Sequence, residues 1–70
     1  MMFEYPIINE NYKHYKGGTY KVLSMAEHSE TKEKMVVYQS IEFGGTYCRP
    51  LELWNEKTIN GESRFEQINK

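Results

Sequence analysis

The stretch Lys34-Met35-Val36-Val37-Tyr38-Gln39-Ser40-Ile41-Glu42 decides the fold. β-Branched and aromatic side chains crowd the run from Met35 to Tyr38, and such side chains pack well on a pleated surface. It is the most strand-like run in the chain, and its place is central in a sheet. Just upstream, Ser29-Glu30-Thr31-Lys32-Glu33 is polar and short, which reads as a hairpin loop. Before that loop, Thr19 to His28 opens with period-2 alternation, Tyr20 and Val22 sharing one face. The phase then slips, and Leu23 and Met25 fall on the other. Two readings remain open: a strand partly buried on both faces, or a strand with a β-bulge.

Downstream, Gly44-Gly45 makes a turn, and Thr46-Tyr47-Cys48-Arg49 is a strand ended by Pro50, which cannot donate to a ladder. Leu51-Glu52-Leu53-Trp54-Asn55-Glu56 is too short for an independent helix and reads as one helical turn. Lys57-Thr58-Ile59 reads as a short strand, broken at the hairpin signal Asn60-Gly61. Arg64 to Ile68 alternates as a last strand. Towards the N-terminus, 12–15 is a short strand ahead of the Gly17-Gly18 turn. Residues 1–10 read as an N-terminal arm, extended or a short strand. Residues 11–70 form a single all-β domain of five or six short strands, with one helical turn near residues 51–56. Turn signals every 10–15 residues or so suggest a small barrel or sandwich rather than βαβ units. The size and the single late turn fit an SH3-like barrel or roll, whose closure hides sheet edges.

Composition sets the limits. At 70 residues the chain holds one domain. Such a domain buries about 60–65% of its unfolded surface, and its core supplies roughly 3–5 kcal/mol of net stability. Little margin is left for a strained active site. Aromatic residues make up 14% of the chain, too many for a disordered one. Nine basic and ten acidic residues give a net charge of −1, without the basic excess of a generic phosphate-backbone binder. Nonspecific nucleic-acid binding is therefore not expected, although a local basic patch stays open. The one cysteine, Cys48, cannot form an intramolecular disulfide. No apolar run approaches the roughly 18 residues of a membrane span. Met1 to Pro6 lacks the basic and apolar regions of a secretory leader, so the expected location is the cytoplasm.

Few residues carry candidate chemistry. His14, His28 and Cys48 are possible zinc ligands, but their spacing is long and irregular, so neither a metal nor any other cofactor is expected. His28-Ser29-Glu30-Thr31 reads first as turn-capping polar residues. Arg49 at a strand end suits a carboxylate or phosphate clamp. The structural alternative, a pair with Glu52 or Glu30, is favoured. The aromatic set Tyr12, Tyr15, Tyr20, Tyr38, Tyr47 and Trp54 divides between core and surface.

An ordered set of short blocks covers most of the chain. It runs Tyr12-Lys13-His14-Tyr15-Lys16-Gly17-Gly18, Tyr20-Lys21-Val22, Ala26-Glu27-His28-Ser29-Glu30, Val36-Val37-Tyr38-Gln39 and Arg49-Pro50-Leu51-Glu52. In these blocks the chain resembles DUF1653, a family of small uncharacterised bacterial proteins. The resemblance implies an SH3-like β-barrel and no established activity. The family often has Trp-Val before the Arg-Pro pair, where this chain has Tyr47-Cys48, and Met-Phe where it has Leu53-Trp54. Both changes keep aromatic character.

Three functions compete. First is a binding module for a small anionic ligand or a peptide segment, with His14, His28, Tyr38, Arg49 and Glu52 as candidate ligand-binding residues. Second is an accessory protein that packs on a larger partner or on itself, as monomer or homodimer. A distant third is a hydrolase using His28 or His14 with Glu30. No catalytic residue is assigned, and no membrane partner is expected.

Overall fold

The computed structural model describes residues 5–57, 60, 61 and 63–68. Five strands and one helical turn succeed each other: β1 (Asn11–His14), β2 (Thr19–Glu27), β3 (Lys34–Ser40), β4 (Thr46–Pro50), α1 (Leu51–Trp54) and β5 (Phe65–Gln67). The sheet order is β4-β3-β2-β1-β5, with every neighbouring pair antiparallel. The fold is all-β, with one short helix among the described residues. Its strand order, and the turn ahead of the last strand, are consistent with an SH3-like roll. Thr58 and Ile59, read above as part of a strand, lie outside the described residues, as do residues 1–4.

β3 is central, and its alternation explains why. Val36, Tyr38 and Ser40 are buried, whereas Met35, Val37 and Gln39 are half-exposed. Successive side chains of a strand point to opposite faces, so one face of β3 builds the core and the other meets solvent.

The phase slip in β2 is a bulge. Val22 pairs with Tyr38, but Ser24 pairs with Val37, so Leu23 is the extra residue. One inserted residue inverts the alternation that follows. Met25 therefore returns to the face of Tyr20 and Val22, opposite Val36, and packs on the core. Met25 does not share an outer face with Leu23, as plain alternation would have it.

The core gathers Tyr12, Val22, Val36, Tyr38, Leu51, Trp54 and Phe65. Large rings fill a small interior with few residues. Trp54 and Phe65 stack at 3.8 Å with planes 6° apart, and Tyr12 and Tyr38 each meet Trp54 edge-on at 5.4 Å. α1 serves this cluster: Leu51 and Trp54, three apart on one helical face, are buried. Pro50 starts the turn, and the Asn55 side-chain and backbone N–H groups both donate to the Leu51 carbonyl at 3.0 Å.

The described part of the N-terminal arm forms no strand. It turns at Ile8-Asn9 and ties itself to β2, Asn9 N–H donating to the Val22 carbonyl at 2.7 Å and Val22 N–H to that of Glu10 at 3.1 Å. The Ile7 N–H donates to the Tyr12 hydroxyl at 2.9 Å. Gly18, at φ +89°, takes the left-handed conformation that the β1–β2 turn needs.

Candidate functional site

Strand pairing puts three of the five candidate residues on one inward face. Arg49 of β4 lies opposite Val36, and Tyr38 opposite Val22. His14, at the end of β1, lies opposite Phe65 of β5. Phe65 is their meeting point. The His14 ring meets it edge-on at 4.8 Å, the Tyr38 ring lies 5.9 Å away, and the Arg49 guanidinium sits 5.2 Å over it. Tyr20 completes the wall, 5.4 Å from Tyr38 and 6.1 Å from Phe65.

Arg49 is held by this wall and not by an acid. Its Nε donates to the Tyr38 hydroxyl at 3.0 Å. Among the described residues no carboxylate forms an ion pair with it. The expected pairing with Glu52 or Glu30 is thus not what forms. The strand turns Arg49 inward beneath the rings, whereas Glu52 stands exposed in the first turn of α1 and Glu30 in the β2–β3 loop. With Nε engaged, the two terminal nitrogens remain as a fork for an acceptor.

His14 accepts the Lys16 N–H at Nδ1, at 3.1 Å, so its neutral ring carries the proton on Nε2. Its pKa lies below the ordinary histidine value. Burial is the first cause, and the charges of Arg49, Arg64 and Lys16 add to it. His14 also borders an open recess of about 350 Å³ with Lys13, Tyr15, Ser63 and Glu66. Arg64 stands at this end too, 5.7 Å over the Tyr15 ring and paired with Glu56 at 3.2 Å.

His28 and Glu52 take no part. β2 separates His28 from the His14 end by about 25 Å of strand. There His28 Nδ1 accepts the Glu30 and Thr31 N–H groups at 3.2 and 3.3 Å, and the Thr31 hydroxyl accepts the Glu33 N–H at 3.3 Å. These are the turn-capping roles expected of a polar hairpin. The imidazole meets the Glu30 amide and not its carboxylate, so the His28–Glu30 pair of a hydrolase does not form. Glu52 lines a separate recess of about 160 Å³ with Tyr5, Glu33, Lys34 and Leu51. Cys48 is exposed and pairs in register with Val37, on the face opposite Arg49. Among the described residues, no three His, Cys, Asp or Glu side chains converge as metal ligands.

Sequence reasoning missed Phe65 as the hub. Alternation in Arg64 to Ile68 was signal enough to turn Phe65 inward. Nothing local placed it beside His14 and Arg49, because that follows from β5 pairing with β1 across nearly three quarters of the chain.

The fold and this face define a class: a small all-β domain that presents an arginine among stacked rings. The chain belongs to the DUF1653 family, proteins of unknown function, whose pattern matches residues 10–67. It is similar to a DUF1653 protein from Bordetella bronchiseptica known from a crystal structure. The two are 34% identical with a TM-score of 0.75, over 89% of this chain and 87% of the other. No curated protein matches the chain. No helix among the described residues is long and apolar enough to cross a membrane.

Proposed function

We propose that this chain is a binding module whose ligand presents an anionic group, on a small molecule or a peptide segment, to Arg49. One observation carries the reading: a half-buried guanidinium, fixed through Nε by Tyr38 and flanked by Phe65, with no carboxylate paired to it among the described residues. An arginine set down without an acid keeps its terminal donors for an incoming acceptor. Its partly desolvated setting strengthens that interaction over one in open water. Tyr38 and Phe65, both buried, hold the guanidinium in place, and the half-buried Tyr20 supplies rigid flanking surface at little entropic cost. His14, near neutral pH, adds an Nε2 donor to the same face.

The test is a set of thermal melts at constant ionic strength with phosphate, acetate and adenosine monophosphate, on the parent chain and on Arg49→Gln. A ligand bound only by the native state raises the midpoint, and the stabilisation is about 2.7 kcal/mol at 100 times its Kd. At least one anion should raise the parent midpoint and leave that of Arg49→Gln in place. Equal shifts in both proteins, or none in the parent, reject the reading. Arg49→Lys keeps the charge but loses the planar fork, and should bind about tenfold more weakly.

A further inference from the structure

The turn from β3 to β4 carries an unusual display. Phe43 is 88% exposed, and Ile41, two residues before it, and Tyr47, four after it, are 51% and 50% exposed. The turn that bears Phe43 is well tied down. Gly44 N–H donates to the Ser40 carbonyl and Ser40 N–H to that of Gly45, both at 2.8 Å, while Phe43 N–H donates to the Ser40 hydroxyl at 3.0 Å. Ile41 N–H reaches the Thr19 carbonyl at 2.9 Å, and the Glu42 carboxylate accepts the Thr19 N–H at 3.0 and 3.2 Å. A ring held out on an ordered turn loses little entropy when it is covered.

This display adjoins the arginine. Tyr47 pairs in register with Tyr38, its ring 5.9 Å from that of Tyr38, whose hydroxyl holds Arg49. Tyr47 also folds back on the turn, where a β-carbon at Gly45 would fall 2.5 Å from its hydroxyl oxygen. From Arg49 to the start of the turn is about 10 Å of strand, three or so residues of extended peptide. A small anion would cover Arg49 and leave Phe43 in water.

Arg49 decides the sign of the occupant. Arg64 is offset by Glu56, and Glu42 and Glu66 keep their charges at this end, but among the described residues no acid pairs with Arg49. Arg49 and Lys16 both lie close enough to His14 to disfavour its charged form. We infer that the occupant is an acidic peptide segment, with a carboxylate on Arg49 and, a few residues along, an apolar side chain on Tyr47, Phe43 and Ile41. This rests on the anion-binding reading of Arg49 and names its ligand class.

The experiment is an NMR titration of the ¹⁵N-labelled full chain. The probes are sodium acetate, octathymidylate and two capped hexapeptides, Gly-Asp-Asp-Leu-Phe-Gly and Gly-Asp-Asp-Ser-Ser-Gly. Acetate should move the Arg49 Nε–H resonance. The Leu-Phe peptide should move it together with the Phe43 and Gly44 amides, and bind about tenfold tighter than the Ser-Ser peptide. Phe43→Ser, at an exposed position that folding does not need, should erase that difference. If acetate leaves Arg49 unmoved, this inference falls, and the anion-binding reading is decided separately by the thermal melts with phosphate and adenosine monophosphate. If acetate acts but the two peptides bind alike, or Phe43→Ser changes nothing, the peptide inference alone is overturned. Tighter binding of octathymidylate than of either peptide also overturns it, in favour of single-stranded nucleic acid.

Discussion

At the scale of the residue, the choice of partner by Arg49 shapes the rest. Two acids lay within its sequence neighbourhood or matching blocks, yet it took a phenol and a ring. A strand's alternation left no option: a residue opposite Val36 faces inward, where Tyr38 and Phe65 meet its guanidinium. The same cation acts on His14, whose pKa is lowered by burial and then by Arg49, Arg64 and Lys16. The sign follows. A folded-state value below the unfolded one, about 6.5, means the unfolded chain takes up the proton first as pH falls. The contribution of His14 to stability is thus complete above that value and is lost as pH drops through the folded one. Arg49→Gln should raise the pKa of His14, and a bound anion should raise it in the parent, both read from the imidazole resonance in an NMR pH titration. A His14 value unmoved by Arg49→Gln would contradict the proximity of the two side chains.

At the scale of the element, the bulge in β2 does what alternation alone cannot. If Leu23 took a regular place in the ladder, Met25 would face solvent and Ser24 would lie opposite Val36. Met25→Ser, at the inward position that the bulge creates, should therefore cost about 1–3 kcal/mol in chemical denaturation. Deleting Leu23 removes only the extra residue, keeps Ser24 opposite Val37 and Met25 opposite Val36, and should cost less than that. Leu23→Ala, at a half-exposed position, should cost about 1 kcal/mol or less. A deletion that costs more than Met25→Ser would mean that Leu23 is not the inserted residue. The β3–β4 turn is a second device. Glu42 is held below the ordinary carboxylate range, chiefly by the Thr19 N–H. The stability this bond contributes is present above the normal carboxylate value and is lost as pH falls through the lowered one. Glu42→Ala should accelerate hydrogen exchange of the Thr19 amide at neutral pH, and an unchanged rate would argue against the tie.

At the scale of the whole molecule, one ring cluster serves both core and candidate site. Phe65 stacks on Trp54 from one side and lies under Arg49 from another. Trp54→Ala should cost about 3–5 kcal/mol, which is comparable to the roughly 3–5 kcal/mol available to a domain of this size. The variant is expected to be largely unfolded at 25 °C, with collapsed amide dispersion in its NMR spectrum. Trp54→Phe, which keeps a ring against Phe65, should stay folded. A well-dispersed Trp54→Ala spectrum would show that stability resides elsewhere. Sharing rings between core and surface also ties binding to stability, so an anion on Arg49 should protect the β5 amides from exchange.

By itself the chain's order of residues determined the strands, their glycine breaks, the helical turn after Pro50 and the slip in β2. Those features depend on neighbours a few positions apart, through period-2 alternation and local backbone freedom. Only the tertiary structure decided that His14, Tyr38 and Arg49 share a face while His28 and Glu52 do not, and that Phe65 joins the three. Pairing between β5 and β1 bridges residues some fifty positions apart, and the bulge decides which side of β2 looks inward. Both are settled by burying rings against one another, a free energy that no short window of sequence contains.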